Sequence, residues 1–316
     1  MSTRIKTWVG AAIWLGYILI QEPAPRGEGW AHAVLLLAAL VLVPLALDLV
    51  WVDDEYNRLA RLPRWTRAAQ LPAALLLALS CGLSAGGLAA VAASPWVAFC
   101  GLVAISGCLQ ATQEGGRRPL DRLTGDIAMI FLGVGGAWVF ADRAGFRPLD
   151  FPPAIVALTA VHFHFAGLLL PLCAGLAVRQ LPNARLPAVI AVAVVLGVPA
   201  VALGITSSQM GWGPLVETVA GCSLALAGLG VAWLHLRLAR NGAFPMSGRV
   251  LLLLAGASLA FGMSLAALYA LRAFAWPLPW LDLPWMRALH GTANAFGFGL
   301  GGMLAWRLIG RTNVAP

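Results

Sequence analysis

The stretch from Pro153 to Val178, PAIVALTAVHFHFAGLLLPLCAGLAV, runs without a single Asp, Glu, Lys or Arg, and its reading decides the fold class. A hydrocarbon core of roughly 30 Å takes about 20 predominantly apolar residues per helical crossing. A run of this length therefore reads as a transmembrane helix, whereas the strands of a membrane barrel would alternate in polarity. Comparable runs recur along all 316 residues, of which 60% are hydrophobic and only 11% charged. The sequence predicts ten spans, centred near Trp14, Leu42, Leu79, Ala104, Gly133, Phe165, Val195, Ala225, Gly256 and Phe298. The expected fold is an all-α, polytopic transmembrane helical bundle in which residues 1–316 form a single integral membrane domain.

Basic residues test that count independently, because Lys and Arg in short loops collect on the cytoplasmic side. With the N-terminus inside, sixteen of the 21 basic residues fall in the inside set, from Arg4 and Lys6 through Arg307 and Arg311. Five fall outside: Arg26, Arg143, Arg147, Arg272 and Arg287. Ten spans with both termini cytoplasmic follow from this bias. The net charge of +8 then reports orientation and anionic lipid. Nucleic-acid binding would call for a basic face with interleaved aromatics on a soluble element, and none is present.

The first apolar run ends at Gln21-Glu22-Pro23 without an A-x-A site, so it reads as the first span and not as a cleaved signal. The five cysteines (Cys81, Cys100, Cys108, Cys173, Cys222) lie in apolar segments without C-x-x-C spacing and read as small core residues. The longest loops, 53–67 inside and 274–287 outside, are short tethers, the second rich in Trp and Pro as an interfacial aromatic belt would be. Ten spans divide as five plus five, which allows an inverted arrangement of 1–150 and 151–316 as in many secondary transporters. No self-similarity between the halves supports it beyond the arithmetic.

Imidazoles and amides are costly at membrane depth, so the polar positions inside these spans are functional candidates. Two constellations stand out: Val-His-Phe-His-Phe-Ala-Gly with His162 and His164, and His-Gly-Thr-Ala-Asn-Ala-Phe-Gly-Phe with His290 and Asn294. If the sixth span runs inward from Pro152-Pro153, His162 lies about 15 Å below its start at roughly 1.5 Å per residue, and Asn294 lies at a similar depth. Glu217 also sits in the outer part of its span. The outward half of the membrane domain therefore holds the candidate site. Residues four apart share a helical face, so His290 and Asn294 point the same way, whereas His162 and His164 are separated by about 200° on a regular helix. Pairing of two histidines across helices, His162 with His290 and completed by Asn294 or Glu217, is geometrically open for a metal or haem.

Blander readings compete at every position. A buried histidine in a bundle is often an interhelical hydrogen-bonding residue. His32 and His235 stand near span ends, where interfacial placement accounts for them. Glu217, three residues after Pro214, could simply favour the positive end of a helix. The polar inner group Gln110, Thr112, Gln113 and Glu114, followed by Gly115-Gly116-Arg117-Arg118, reads as a loop before it reads as a gate. Gly297-x-x-x-Gly301 has the small-residue packing form. No Walker-type loop, G-x-S-x-G elbow or H-E-x-x-H is present, and five histidines cannot supply the eight of di-iron membrane desaturases.

The pairing of His-Phe-His-Phe-Ala-Gly at 162–167 with His-Gly-x-x-Asn-Ala-x-Gly-Phe at 290–298 resembles the YndJ-like family of bacterial integral membrane proteins. The resemblance implies an inner-membrane location, and some members carry a transporter label. His162, His164, His290 and Asn294 are motif positions within it. The leading expectation is a secondary transporter or permease-like protein for a small or amphipathic molecule, with His162 or His164 and His290 binding substrate or relaying a proton. The alternative is a membrane-embedded metal- or haem-dependent enzyme acting on a lipid or quinone-like substrate. A third is an assembly protein whose histidines only bridge helices. Membrane lipids are the expected partners, and the sequence names no cofactor.

Overall fold

A computed structural model describes residues 2–50, 61–112, 118–182, 184–275 and 277–312. Among them the chain is helical, with no strand. Ten long helical segments succeed one another: α1 (Thr3–Gln21), α2 (Gly29–Val50), α3 (Arg61–Cys81), α4 (Gly87–Ala111), α5 (Leu120–Ala144), α6 (Pro153–Gln180), α7 (Arg185–Gln209), α8 (Leu215–Leu238), α9 (Met246–Ala270) and α10 (283–312). Each contains one of the ten expected centres. Seven of them, α2 and α4 to α9, are long and apolar enough to cross a membrane. The chain is therefore a multi-pass, all-helical membrane protein.

Helix ends follow local chemistry. Pro153 opens α6 behind Pro152, where its missing N–H is no loss. The Asp282 carboxylate accepts the Trp285 N–H at 2.9 Å to start α10. At the end of α5, Gly145 takes the left-handed conformation (φ 72°), so that the Phe146 N–H can reach back to the Ala141 carbonyl at 2.9 Å.

Three helices widen into π-helical turns: α2 at Ala38–Leu42, α6 at Phe163–Leu169, and α10 at Arg287–Gly291 and Ala293–Leu300. In α2 and α6 a proline follows within a few residues, Pro44 and Pro171. A proline ring crowds the carbonyl four residues earlier and offers it no N–H, and a widened turn relieves both problems. The Gln70 carboxamide donates to the Ala39 carbonyl of the α2 turn at 2.8 Å. α10 has no such proline, and its widened stretch coincides with the second polar motif. The regular-helix geometry that separates His162 from His164 in the sequence reading is thus replaced by a widened turn beginning directly after His162.

The chain divides into two compact units, Met1–Leu169 and Leu170–Pro316, with the boundary inside α6 between its π-helical turn and Pro171. In the first, α4 and α5 approach closely: a Cβ at Gly133 would stand 2.6 Å from that of Ala104, and one at Gly136 2.6 Å from that of Cys100. Arg143, only 3% exposed, ties three helices together. Its Nε donates to Ser80 Oγ at 3.4 Å, Nη2 to the Leu83 carbonyl at 2.6 Å, and Nη1 lies 3.3 Å from His32 Nε2. Asp142 faces both, 2.9 Å from His32 and 3.5 Å from Arg143. Nearer the other end, Arg118 pairs with Asp126 and donates to Gln110 Oε1 at 3.4 Å. Residues 113–117, the rest of the expected inner polar group, lie outside the described residues, as do 51–60 of the expected inner tether and Trp276 of the Trp-rich loop.

In the second unit α8 packs against α7 and α9. Small residues again set the spacing: a Cβ at Gly228 would meet Met263 at 2.6 Å, and one at Gly297 would collide with Ser258 of α9. The Gly297-x-x-x-Gly301 pattern is helix-packing chemistry here. Of the cysteines, Cys81, Cys100 and Cys173 are buried as expected, but Cys108 is exposed and Cys222 half-buried, because those two lie on faces of α4 and α8 that no neighbouring helix covers fully.

Candidate functional site

His164 lies in the widened turn of α6, fully buried. Its Nε2 takes the indole N–H of Trp96 at 3.2 Å and its Nδ1 lies 2.8 Å from its own helix's Ala160 carbonyl. An indole N–H only donates and a carbonyl only accepts, so His164 is the Nδ1–H tautomer with both nitrogens committed. Its ring stacks on Trp96 at 5.9 Å, which stacks in turn on Phe99 at 4.9 Å. A Cβ at Gly135 would stand 2.9 Å from Nδ1, so glycine there leaves room for the ring. This is a helix-bridging arrangement. Trp96→Phe should leave the Nε2 acceptor buried without a donor and lower stability by about 1–3 kcal/mol; chemical unfolding in mild detergent checks this, and an unchanged midpoint would contradict it.

His162, one residue before the widened turn, is half-buried and stands edge-on to the Phe163 ring at 6.0 Å. His162 and His164 thus meet different rings, Phe163 for the first and Trp96 for the second. Glu217 occupies the first turn of α8 and is gripped by Arg272 Nη2 at 2.6 Å, the guanidinium lying over the Tyr269 ring at 4.1 Å. It joins the residue just beyond α9 and not the second motif, whose contact on α9 lies ten residues earlier, about 15 Å along the axis.

His290 and Asn294 do come together. His290 Nδ1 lies 2.7 Å from the Gly262 carbonyl of α9, and Asn294 Nδ2 stands over the imidazole, 3.2 Å from Nε2 and 3.3 Å from Nδ1. The carboxamide sits flat over Gly262, where an added Cβ would come within 2.6 Å of Oδ1 and 2.7 Å of Nδ2. Asn294 is 7% exposed, and its Oδ1 is buried without a hydrogen-bond partner among the described residues. His164 mends a carbonyl of its own widened helix, but His290 reaches across to a neighbouring one, and the pair leaves a polar atom unspent. Two motifs that look alike in sequence are therefore unlike in chemistry.

The sequence reading missed several parts of this picture. Trp96 and Gly262, which receive or house the motif side chains, carry no local signal: one is among 13 tryptophans, the other among 35 glycines. His235 is near the end of α8 as expected, yet it is buried inside the unit and not interfacial. Its Nε2 accepts the Trp306 indole N–H at 3.2 Å, and Phe298 stacks on its ring at 5.9 Å. His32 likewise has specific partners, Asp142 and Arg143. Among the described residues no group of three or more His, Cys, Asp or Glu side chains is placed to hold a metal ion.

The helical architecture and its apolar spans define an integral membrane protein of the multi-pass class. A family model described as YndJ-like protein matches residues 33–298, which include both motifs, and the chain belongs to that family. It is similar to the Uncharacterized membrane protein YndJ of Bacillus subtilis (strain 168), with 27% identity over 302 residues. That alignment covers 95% of this chain but 52% of the relative, so the chain spans about half the length of the protein it matches. No solved structure matches.

Proposed function

We propose that this chain is a permease-like protein of the bacterial inner membrane, crossing it ten times with both ends cytoplasmic, and that it handles a small or amphipathic molecule at His290 and Asn294. One observation carries the reading: a π-helical stretch in α10 holds Asn294 with its carboxamide oxygen buried and unpartnered. Nearly all buried polar groups find a partner, and π-helical turns recur at functional sites, so an unspent acceptor on such a turn is the mark of a place where something else binds. The distribution of basic residues supports the orientation, and helices interrupted within the membrane are how many transporters expose polar groups to a solute. Nothing comparable favours the metal or haem enzyme, because Nδ1 of His290 is committed to the Gly262 carbonyl and the Asn294 carboxamide lies over the ring.

The test is solute entry into proteoliposomes followed by osmotic swelling, using a panel of short alcohols, amides, amines and carboxylates. At least one solute should enter faster with wild-type protein than in protein-free vesicles, and Asn294→Leu should abolish the gain. Equal permeability with and without protein across the panel would sink the proposal.

A further inference from the structure

The same site, taken as the binding place just argued, says what kind of molecule it accepts. The Gly262 carbonyl can only accept, so the proton of the neutral His290 ring is on Nδ1, and Nε2 presents a lone pair. Asn294 Nδ2 stands 3.2 Å from Nε2 and 3.3 Å from Nδ1, over the ring, where an amide N–H meets the π face favourably; turned around, the carboxamide would set its oxygen lone pairs against that electron-rich face. The orientation is therefore fixed from α9 outward through two side chains. What remains for a ligand is Oδ1, a buried acceptor, beside a side of α10 that is half-buried at residues 290–293. The ligand must bring an N–H or O–H.

Charge then decides between candidates. Residues 170–316 contain two acidic side chains, Glu217 and Asp282. Glu217 is bound to Arg272, and Asp282 caps the start of α10. Helix α9, which packs against this part of α10, offers as ionisable groups only Arg249, which donates to the Ala239 carbonyl, and Tyr269, beneath Arg272. On α10 itself, Arg287 stands one turn before His290 and adds positive charge. Within residues 170–316 a cation at Oδ1 would find both carboxylates already engaged and Arg287 one turn away, a penalty that one hydrogen bond does not offset. An anion would face the lone pairs of Oδ1. We propose that the Asn294 site binds a neutral hydrogen-bond donor, the hydroxyl or amide N–H of a small or amphipathic molecule, and rejects ions of either sign.

The purified chain of residues 1–316 in mild detergent can be titrated with four probes of equal heavy-atom count, 1-butanol, propionamide, butylammonium and propionate, following the thermal midpoint. Wild type should be stabilised by butanol and propionamide and not by the two ions. Asn294→Leu should weaken the neutral probes by about tenfold, the worth of one buried hydrogen bond. Asn294→Asp, which is close to isosteric, should exchange the preference for butylammonium. Should an ion stabilise the wild type best, with the effect lost in Asn294→Leu, the site exists but the neutral-donor assignment is wrong. Should no probe depend on residue 294 in folded variants, the binding site fails together with it.

Discussion

Replacing Arg143 with leucine is expected to lower the stability of the protein by about 3–5 kcal/mol, the usual cost of removing one member of a buried charged network. Arg143 is 3% exposed, and the loss has three parts. The Leu83 carbonyl and Ser80 hydroxyl lose their donors, and Asp142, whose side chain is 10% exposed, keeps only His32 beside it. Arg143→Lys should recover little, since an ammonium cannot reach in three directions as the planar guanidinium does. Asp142→Asn in the Arg143→Leu background should recover part of the loss by removing the stranded charge. Urea or SDS unfolding in detergent, read by tryptophan fluorescence, measures all three, and a loss below about 1 kcal/mol for Arg143→Leu, the size of an exposed pair, would show that the cluster is solvated.

Gly262→Ala is the second large effect. The new methyl would stand 2.6–2.9 Å from the Oδ1, Nδ2 and Cγ atoms of Asn294, so the carboxamide would have to leave its place over Gly262. The Asn294 contact with His290 should be lost, with an overpacking cost of about 1–3 kcal/mol. A double-mutant cycle makes the origin visible. Gly262→Ala in an Asn294→Ala background should cost little, because the clashing group is gone, giving a coupling of about 0.5–3 kcal/mol. Additive effects would mean that the methyl is accommodated elsewhere along α9 and that the flat stacking of the carboxamide on Gly262 is not what holds Asn294. The same variant should abolish the response to butanol and propionamide, since the acceptor would no longer be held in place.

Much of the architecture is legible in the linear chain because membrane insertion is a local criterion. A run such as 153–178 declares itself by length and apolarity alone, and all ten expected centres fall in helices. His290 and Asn294 were also legible as a pair, since spacing of four residues suffices to place them on one side of α10. The widened turns were harder to see. Pro44 and Pro171 hint at those of α2 and α6, but α10 offers only glycines, and the same glycines serve ordinary close packing elsewhere. Nor does the sequence distinguish His164 from His290, because the difference lies in what each ring meets: an indole and its own helix in one case, a neighbouring helix and an underused amide in the other.

The sequence by itself determined that this is a helical, multi-pass membrane protein of the YndJ-like family and which few polar residues its apolar segments carry. These are properties of composition and short-range order, set by the cost of exposing polar groups to hydrocarbon. Only the tertiary structure decided which of those residues are spent and which are not: His164 on Trp96, Glu217 on Arg272, His32 on Asp142 and Arg143, and Asn294 with its oxygen unclaimed over Gly262. A hydrogen bond is decided by a few tenths of an ångström between groups far apart in the chain, and that distance is fixed by packing, which no local pattern encodes.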